Sequence, residues 1–219
     1  MQMYTIRAYE PTDEKDVVEI CYRTGFLGET LEGIGRFEDK YLFALLFCLY
    51  YLWFEKENCF VSVDPNGKIC GYIMGSKNTT IQQFEFFKKM VPRILARLFT
   101  HTLFVSPKTF GTCVLFVLSL LFGFKEKNFE EKYPAHLHIN ISPEYQKAGL
   151  GSMLLSALEY KMVEDRVKGI HLLTSDSNFK AVPFYLKHGY RILDQKRGRA
   201  WRGTKEYNEL LMAKDLLPQ

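Results

Sequence analysis

The residues with the clearest chemical meaning run from His136 to Gly151, reading H-L-H-I-N-I-S-P-E-Y-Q-K-A-G-L-G. An alternating strand pattern leads there into a turn with two glycines, and an apolar stripe of helical spacing (Leu154, Leu155, Leu158, Met162) follows at once. Strand, glycine turn and helix in that order make an anion site. Glycine removes the Cβ that would hold a ligand away from the backbone, and the unpaired N–H groups of a helix start point into the gap. A phosphate binds such a place without any charged side chain.

Spacing separates the kinds of phosphate turn. A dinucleotide-binding G-x-G-x-x-G would need glycine where Leu154 stands, and a P-loop would need G-K-[ST] after four spacer residues. The residues fit neither. They fit Q/R-x-x-G-x-G/A, through Gln146, Gly149 and Gly151, directly after a strand closed by Ser142-Pro143. A second pattern lies at Asn178–Tyr190, N-F-K-A-V-P-F-Y-L-K-H-G-Y, with Asn178, Ala181, Phe184-Tyr185 and Gly189-Tyr190 as its marks. Between Gly151 and Asn178 there is room for one helix of about four turns and one short strand. Together the two patterns resemble the GCN5-related N-acetyltransferase (GNAT) superfamily.

That resemblance implies an α/β (α+β) fold with a mixed, mostly antiparallel central sheet flanked by helices. It also implies acetyl-CoA as co-substrate, no metal, and transfer of the acetyl group to an amine by direct attack in a ternary complex. The backbone of Lys147, Ala148, Gly149, Leu150 and Gly151, with Ser152 and the Gln146 side chain, would hold the pyrophosphate. The central strand would split from its neighbour after Asn140, leaving Ile139 and Ile141 to pair with pantetheine as another strand would. Asn178 would contact pantetheine or a water, Ala181 would keep its helix close to the cofactor, and Tyr185 would protonate the departing thiolate. A phenol suits that task because it stays protonated near neutral pH.

The family has no fixed base. His136, His138 and Asn140 share one strand face, so His138, or else His136, is the candidate, as an imidazole titrating near the operating pH. Asp176 and His171 are weaker options, and His188 reads as structural. No covalent nucleophile is expected, because there is no G-x-S-x-G elbow and no cysteine in either motif. The rival function is a catalytically inactive acetyltransferase-like fold, serving as a CoA-binding or interaction module.

The elements that must position these groups are legible upstream. Tyr4–Arg7 alternates and an acidic helix start follows at Pro11–Glu14; Cys59–Val63 and Ile69–Gly75 flank an Asn66-Gly67 hairpin signal. About sixty residues then intervene before the central strand. Phe84, Phe87, Met90, Ile94, Leu95 and Leu98 recur at helical spacing, and Phe110–Phe124 is a second helical candidate. The chain therefore reads as one domain, 1–219, with a helical insertion at about 77–132. A substrate lid, a packing extension and a homodimer surface are the uses open to that insertion.

Composition bounds the rest. A chain of 219 residues, 47% hydrophobic and 25% charged, buries a core and excludes disorder. The surplus of four positive charges is mild, and its basic run (Arg191, Lys196, Arg197, Arg199, Arg202, Lys205) reads as a solvated hairpin, so nucleic acid is not an expected partner. Five cysteines with no C-x-x-C read as reduced core residues, and with no secretory leader pattern the expected location is cytoplasmic. Tyr41–Phe54 and Thr112–Phe124 are apolar but shorter than the about 20 residues that span a bilayer, so both read as buried helices, with a helix lying on a membrane or capping an apolar substrate as the alternative; apolar residues all round fit burial better. The acceptor is open among small amines, amino sugars, a protein N-terminus and a lysine side chain; the aromatic richness of the first half favours an apolar or ring-bearing one.

Overall fold

The computed structural model describes residues 4–121, 124, 128–201 and 206–217. It begins with strand β1 (Thr5–Ala8) and a 3-10 turn at Pro11–Asp13, where Asp13 bonds back to the Glu10 N–H and pairs with Arg7. Helix α1 (Glu14–Arg23) follows and buries Val17, Ile20, Cys21 and Tyr22. A loop then leads to α2 (Lys40–Phe47), whose first amides are capped by the Asp39 carboxylate, and to α3 (Leu49–Phe54). The apolar stretch Tyr41–Phe54 is thus two helices broken at Cys48. The change of axis lets Leu42, Phe43, Leu45, Leu49, Tyr50 and Leu52 all be buried.

Strands β2 (Cys59–Val63) and β3 (Ile69–Ser76) form the expected hairpin around Gly67. Helices α4 (Thr79–Phe99), α5 (Pro107–Leu121) and the short α6 (Phe129–Lys132) come next, then β4 (Ala135–Ile141). After a 3-10 turn at Pro143–Tyr145 the chain continues through α7 (Leu150–Glu164), β5 (Gly169–Ser175), α8 (Ala181–Lys187), β6 (Arg191–Arg197) and β7 (Asn208–Asp215). Phe122, Gly123 and Lys125 of the second apolar stretch, and Arg202 and Lys205 of the basic run, lie outside the described residues. The rest of that run lies on or next to the β6–β7 hairpin, where Arg191 pairs with Asp215, Lys196 with Glu209 and Arg197 with Glu206.

The seven strands order β1-β2-β3-β4-β5-β7-β6, and every pairing is antiparallel except β4 with β5. One face of the sheet carries α7 and α8 on an aliphatic core of Ile73, Leu137, Leu154, Leu158, Ile170 and Met212. The other carries α1, α2 and α3 on an aromatic core, in which Phe37, Phe43 and Phe47 meet ring to ring and Trp201 stacks on Phe26 and Phe37. The aromatic richness of the first half is accounted for largely by these packed rings, not by a ring-lined acceptor pocket. Helices α4 and α5 lie on the same side, joined to this core through the fully buried Met90 and through Phe116 against Phe47 and Trp201.

Helix α7 holds the sheet to the anion turn, and its two sides differ sharply. Leu158 is fully buried whereas Tyr160 is 67% exposed. Leu158→Ala is therefore expected to lower the unfolding free energy by about 2–5 kcal/mol, and Tyr160→Ala by less than about 0.5 kcal/mol. Urea unfolding of both variants measures the contrast, and equal losses would mean that α7 is not seated on the sheet as described.

Candidate active site

Strands β4 and β5 pair at only two positions, Ala135 with Ile170 and His136 with His171. Beyond them the strands diverge, each still held on its other side: β4 by β3 through Ile141, and β5 by β7 through Ser175. The split therefore starts at Leu137, and not after Asn140 as the resemblance implied. The Ser142 N–H donates to the Cys70 carbonyl at 2.9 Å. By the alternation of an antiparallel ladder, the main-chain groups of Leu137, Ile139 and Ile141 then face the β5 side, into the slot. Gln146 reaches back and donates from Nε2 to the Ile141 carbonyl at 3.3 Å, and its Oε1 accepts from Lys180 Nζ at 2.6 Å. Its Oε1 and one of its two amide N–H groups are thus engaged within the protein, which leaves one N–H for the phosphate that the resemblance implies.

The turn at the end of this slot contains two left-handed residues, Lys147 (φ 71°) and Gly149 (φ 80°), on either side of Ala148. All three are exposed. Such a turn presents successive N–H groups on one concave side, and the first amides of α7, at Leu150 and Gly151, have no intrahelical acceptor. The two glycines have different reasons. Gly149 takes the backbone conformation that a side chain resists and has open space beside it, whereas a Cβ on Gly151 would meet the Phe184 ring at 3.2 Å. Gly151 thus admits Phe184 of α8, not a ligand. That contact sets α8, with Ala181 and Tyr185, beside the anion turn.

Tyr185 is buried next to Phe184 and Tyr190, and burial raises its phenol above the ordinary value, so it is protonated throughout the neutral range. Among the described residues its hydroxyl has no hydrogen-bond partner. Asn178 caps the start of α8 by accepting the Ala181 N–H at its Oδ1, 3.1 Å. It also abuts Gly28 of the α1–α2 loop, where a Cβ would lie 2.6 Å from the Asn178 amide nitrogen. The loop thereby closes over the mouth of the slot. A polar cavity of about 320 Å³ lies there, lined by Arg23, Glu29, Glu32, Gln146 and Lys180 among others. Ser152 is half-buried in the first turn of α7, and its N–H bonds to the Gly149 carbonyl. His188 bonds to the Phe184 carbonyl, a structural role as read.

On the opposite face of β4 the histidines form a bonded chain. The Thr79 hydroxyl donates to the Pro134 carbonyl at 2.9 Å, so toward His136 it can only accept, and His136 Nδ1 donates to it at 2.9 Å. His136 Nε2 is then the acceptor for the Tyr51 hydroxyl at 2.6 Å. Tyr51 oxygen lies 3.4 Å from His138 Nε2, which places the His138 proton on Nε2 and leaves Nδ1 as an acceptor. His171 donates from Nδ1 to the Tyr133 carbonyl at 2.7 Å. The Asn140 side chain turns from the slot and donates to the Tyr72 hydroxyl at 2.7 Å, and Asp176 is taken up by the Asn208 amides.

The expectation of an imidazole titrating near neutral pH does not hold. Burial pushes His138 down to about 4 and His136 well below its ordinary value, with the neighbouring imidazoles adding to the effect; His171 is lowered by burial as well. The polar tip of Tyr51, which orients both histidines, had no signal in the sequence because it lies inside an unbroken apolar run.

Comparison with known proteins follows these lines. The profile described as Acetyltransferase (GNAT) family matches residues 29–190. A stretch of 58 residues, 26% of this chain and 39% of the relative's length, is 36% identical to the uncharacterized N-acetyltransferase YjcF of Bacillus subtilis (strain 168). The chain thus spans well under half of that relative. Among solved structures, SsHAT superposes with a TM-score of 0.74 at 24% identity, covering 98% of this chain and 99% of that one. The phosphinothricin acetyltransferase (Pat) from Sinorhizobium meliloti, in complex with AcCoA, superposes with a TM-score of 0.58 at 13% identity over 97% and 88% of the two chains. At these identities the superpositions show the shared fold.

The histidine chain predicts a pH response of stability. An unfolded imidazole takes up a proton near 6.5, whereas folded His138 does so only near 4. Between these values the unfolded chain binds more protons, so stability is full above about pH 6.5 and falls by roughly 1 kcal/mol per pH unit per histidine as pH drops toward 4. Urea unfolding at several pH values should show this slope, flattened in His138→Asn. An unchanged slope in that variant would mean that His138 titrates freely in the folded protein.

Proposed function

The chain belongs to the acetyltransferase (GNAT) family, and from that premise we propose that it transfers the acetyl group of acetyl-CoA to an amine by direct attack within a ternary complex. The observation that carries this reading is the slot between β4 and β5, with unpaired main-chain groups along one wall and the Lys147–Gly151 turn at its open end. Pantetheine is linear and amide-bearing, so it matches a strand edge, and its amides pair with Ile139 and with the Ile141 N–H, whose carbonyl Gln146 takes. The pyrophosphate sits on the N–H groups of Lys147 to Gly151, favoured by the positive end of the α7 dipole.

Each chemical step then has a residue in reach. The amine attacks the thioester carbonyl, the C–S bond breaks, and the thiolate takes the proton of Tyr185, which burial has kept in place. The amine approaches from the face that carries His138. A histidine depressed to about 4 is a poor base for an ammonium ion but a good neutral acceptor, so His138 Nδ1 orients an amine N–H while the proton leaves to water. Tyr51 acts through it, as a positioning residue that fixes which nitrogen is free. The single-domain organisation, with residues of about 77–132 as an insertion outside the catalytic sheet, belongs to the same reading.

The mouth of the slot bears on the acceptor. Its lining carries both signs, Arg23 and Lys180 against Glu29 and Glu32, which suits a polar amine better than a bare apolar ring. Tyr185→Phe removes the proton donor without changing the packed ring. Turnover is expected to fall by about a hundredfold or more, with acetyl-CoA affinity in calorimetry unchanged. Unaltered turnover across a panel of amines would remove Tyr185 from the chemistry, and an absence of acetyl-CoA binding by the unmodified protein would favour an inactive interaction module.

A further inference from the structure

The insertion presents apolar surface without a partner. Nine of the sixteen exposed large hydrophobic side chains of the described residues lie between Ile81 and Val117. At about 100° per residue, Ile81, Phe84, Phe87, Leu95 and Phe99 fall within roughly a third of the circumference of α4, away from the buried Met90. Phe84 is 68% exposed and Phe99 82%. Helix α5 repeats the arrangement, with Phe110, Val114 and Val117 exposed while Thr109 and Thr112 are buried. The expectation that Thr112–Phe124 is buried all round is corrected by Val114 and Val117: only one side of α5 is covered.

Charge decides what can lie against this face. Residues 79–121 hold five basic side chains (Lys88, Lys89, Arg93, Arg97 and Lys108) and one acidic one, Glu85, a surplus of four that equals the surplus of the whole chain. The single carboxylate is shared, 2.9 Å from Lys89 and 4.0 Å from Lys88. Lys88 sits within the apolar stripe itself, while Lys89 and Arg93 border the α4 core contact over the Phe54 ring. A second copy of the chain would bring two such surpluses together, which like-charge repulsion opposes. Exposed phenyl rings along one side of a helix, with Lys88 among them on a segment of surplus positive charge, instead suit a membrane interface, rings below the headgroups and Lys88 among the phosphates, while Lys89, Arg93 and Arg97 turn toward the core over Phe54 and Tyr41. No helix of the described residues is long and apolar enough to cross a membrane, so the contact would lie along the surface.

We propose that α4 and α5 dock on an anionic lipid bilayer through these stripes. The proposal is independent of the acetyl-transfer reading, since lipid binding requires no acetyl-CoA. The test is co-sedimentation of the full chain with vesicles of phosphatidylcholine alone or of phosphatidylcholine mixed with phosphatidylglycerol. The chain is expected to pellet with the mixed vesicles and only weakly with phosphatidylcholine. Phe84→Ser combined with Phe87→Ser should reduce partitioning about a hundredfold, as each ring withdrawn from water contributes roughly a factor of ten. Lys88→Glu should reduce it about fivefold or more. Both positions are exposed, and an unchanged thermal midpoint of each variant shows that the loss is not unfolding. Failure to pellet with mixed vesicles, or full binding by the double variant or by Lys88→Glu, overturns the proposal. A dimer in light scattering that the double variant dissociates, without vesicle binding, assigns the face to a second copy instead.

Discussion

Two parallel strands in the middle of a sheet pair for only two residues, and the rest of the site follows from that interruption. Main-chain N–H and C=O groups away from water must find partners, and between β4 and β5 the groups of Ile139 and Ile141 have none from β5, Gln146 meeting only the Ile141 carbonyl. Either water or a strand-like ligand must supply the others. The divergence costs the sheet little, because β3 holds β4 along its length and β7 holds β5 along its own. It also aims the end of β4 at the turn that starts α7, and the end of β5 at the segment that starts α8. Gly151 and Phe184 then bring those two helices together.

The two faces of the sheet treat their polar groups in one way for opposite ends. Burial disfavours whichever form is charged. On the α7–α8 side it holds the Tyr185 phenol protonated, and on the other side it holds His136, His138 and His171 unprotonated. A protonated phenol and neutral imidazoles on opposite faces of the sheet therefore arise from the same desolvation. The bonded chain from Pro134 through Thr79, His136 and Tyr51 also satisfies polar atoms that would otherwise be orphaned in the core.

The helical segment between β3 and β4 leaves this arrangement intact for a simple reason. It departs after Ser76 and returns at Ala135, and Ser76 is the register partner of His136. Its ends are adjacent, so the long excursion closes at a cost that grows only slowly with length. Freed from the sheet, α4 and α5 take their burial from one side alone, through Met90 and Phe116. That is why two amphipathic helices remain with an apolar face outward.

The local motifs were readable because their meaning depends on nearest neighbours. Gly149 after Gln146 resembles an anion turn once Asn178–Tyr190 is set beside it, the alternation of His136 to Ile141 puts both histidines on one face, and Asn66-Gly67 closes a hairpin without outside help. The family, the mixed sheet and the helical character of the insertion all follow from such short-range patterns. What needed the tertiary structure was anything set by segments distant in sequence. The split beyond His136 depends on how far β4 and β5, distant in sequence, run side by side, and Gly151 is small because Phe184 arrives from α8. Gln146 is engaged by Lys180, and His138 cannot hold a proton near neutrality because Tyr51 and the surrounding core displace water from it. Composition predicted apolar helices, but which side of each would stay uncovered was decided by packing, since periodicity shows that a face is apolar and only its neighbours determine whether it is buried.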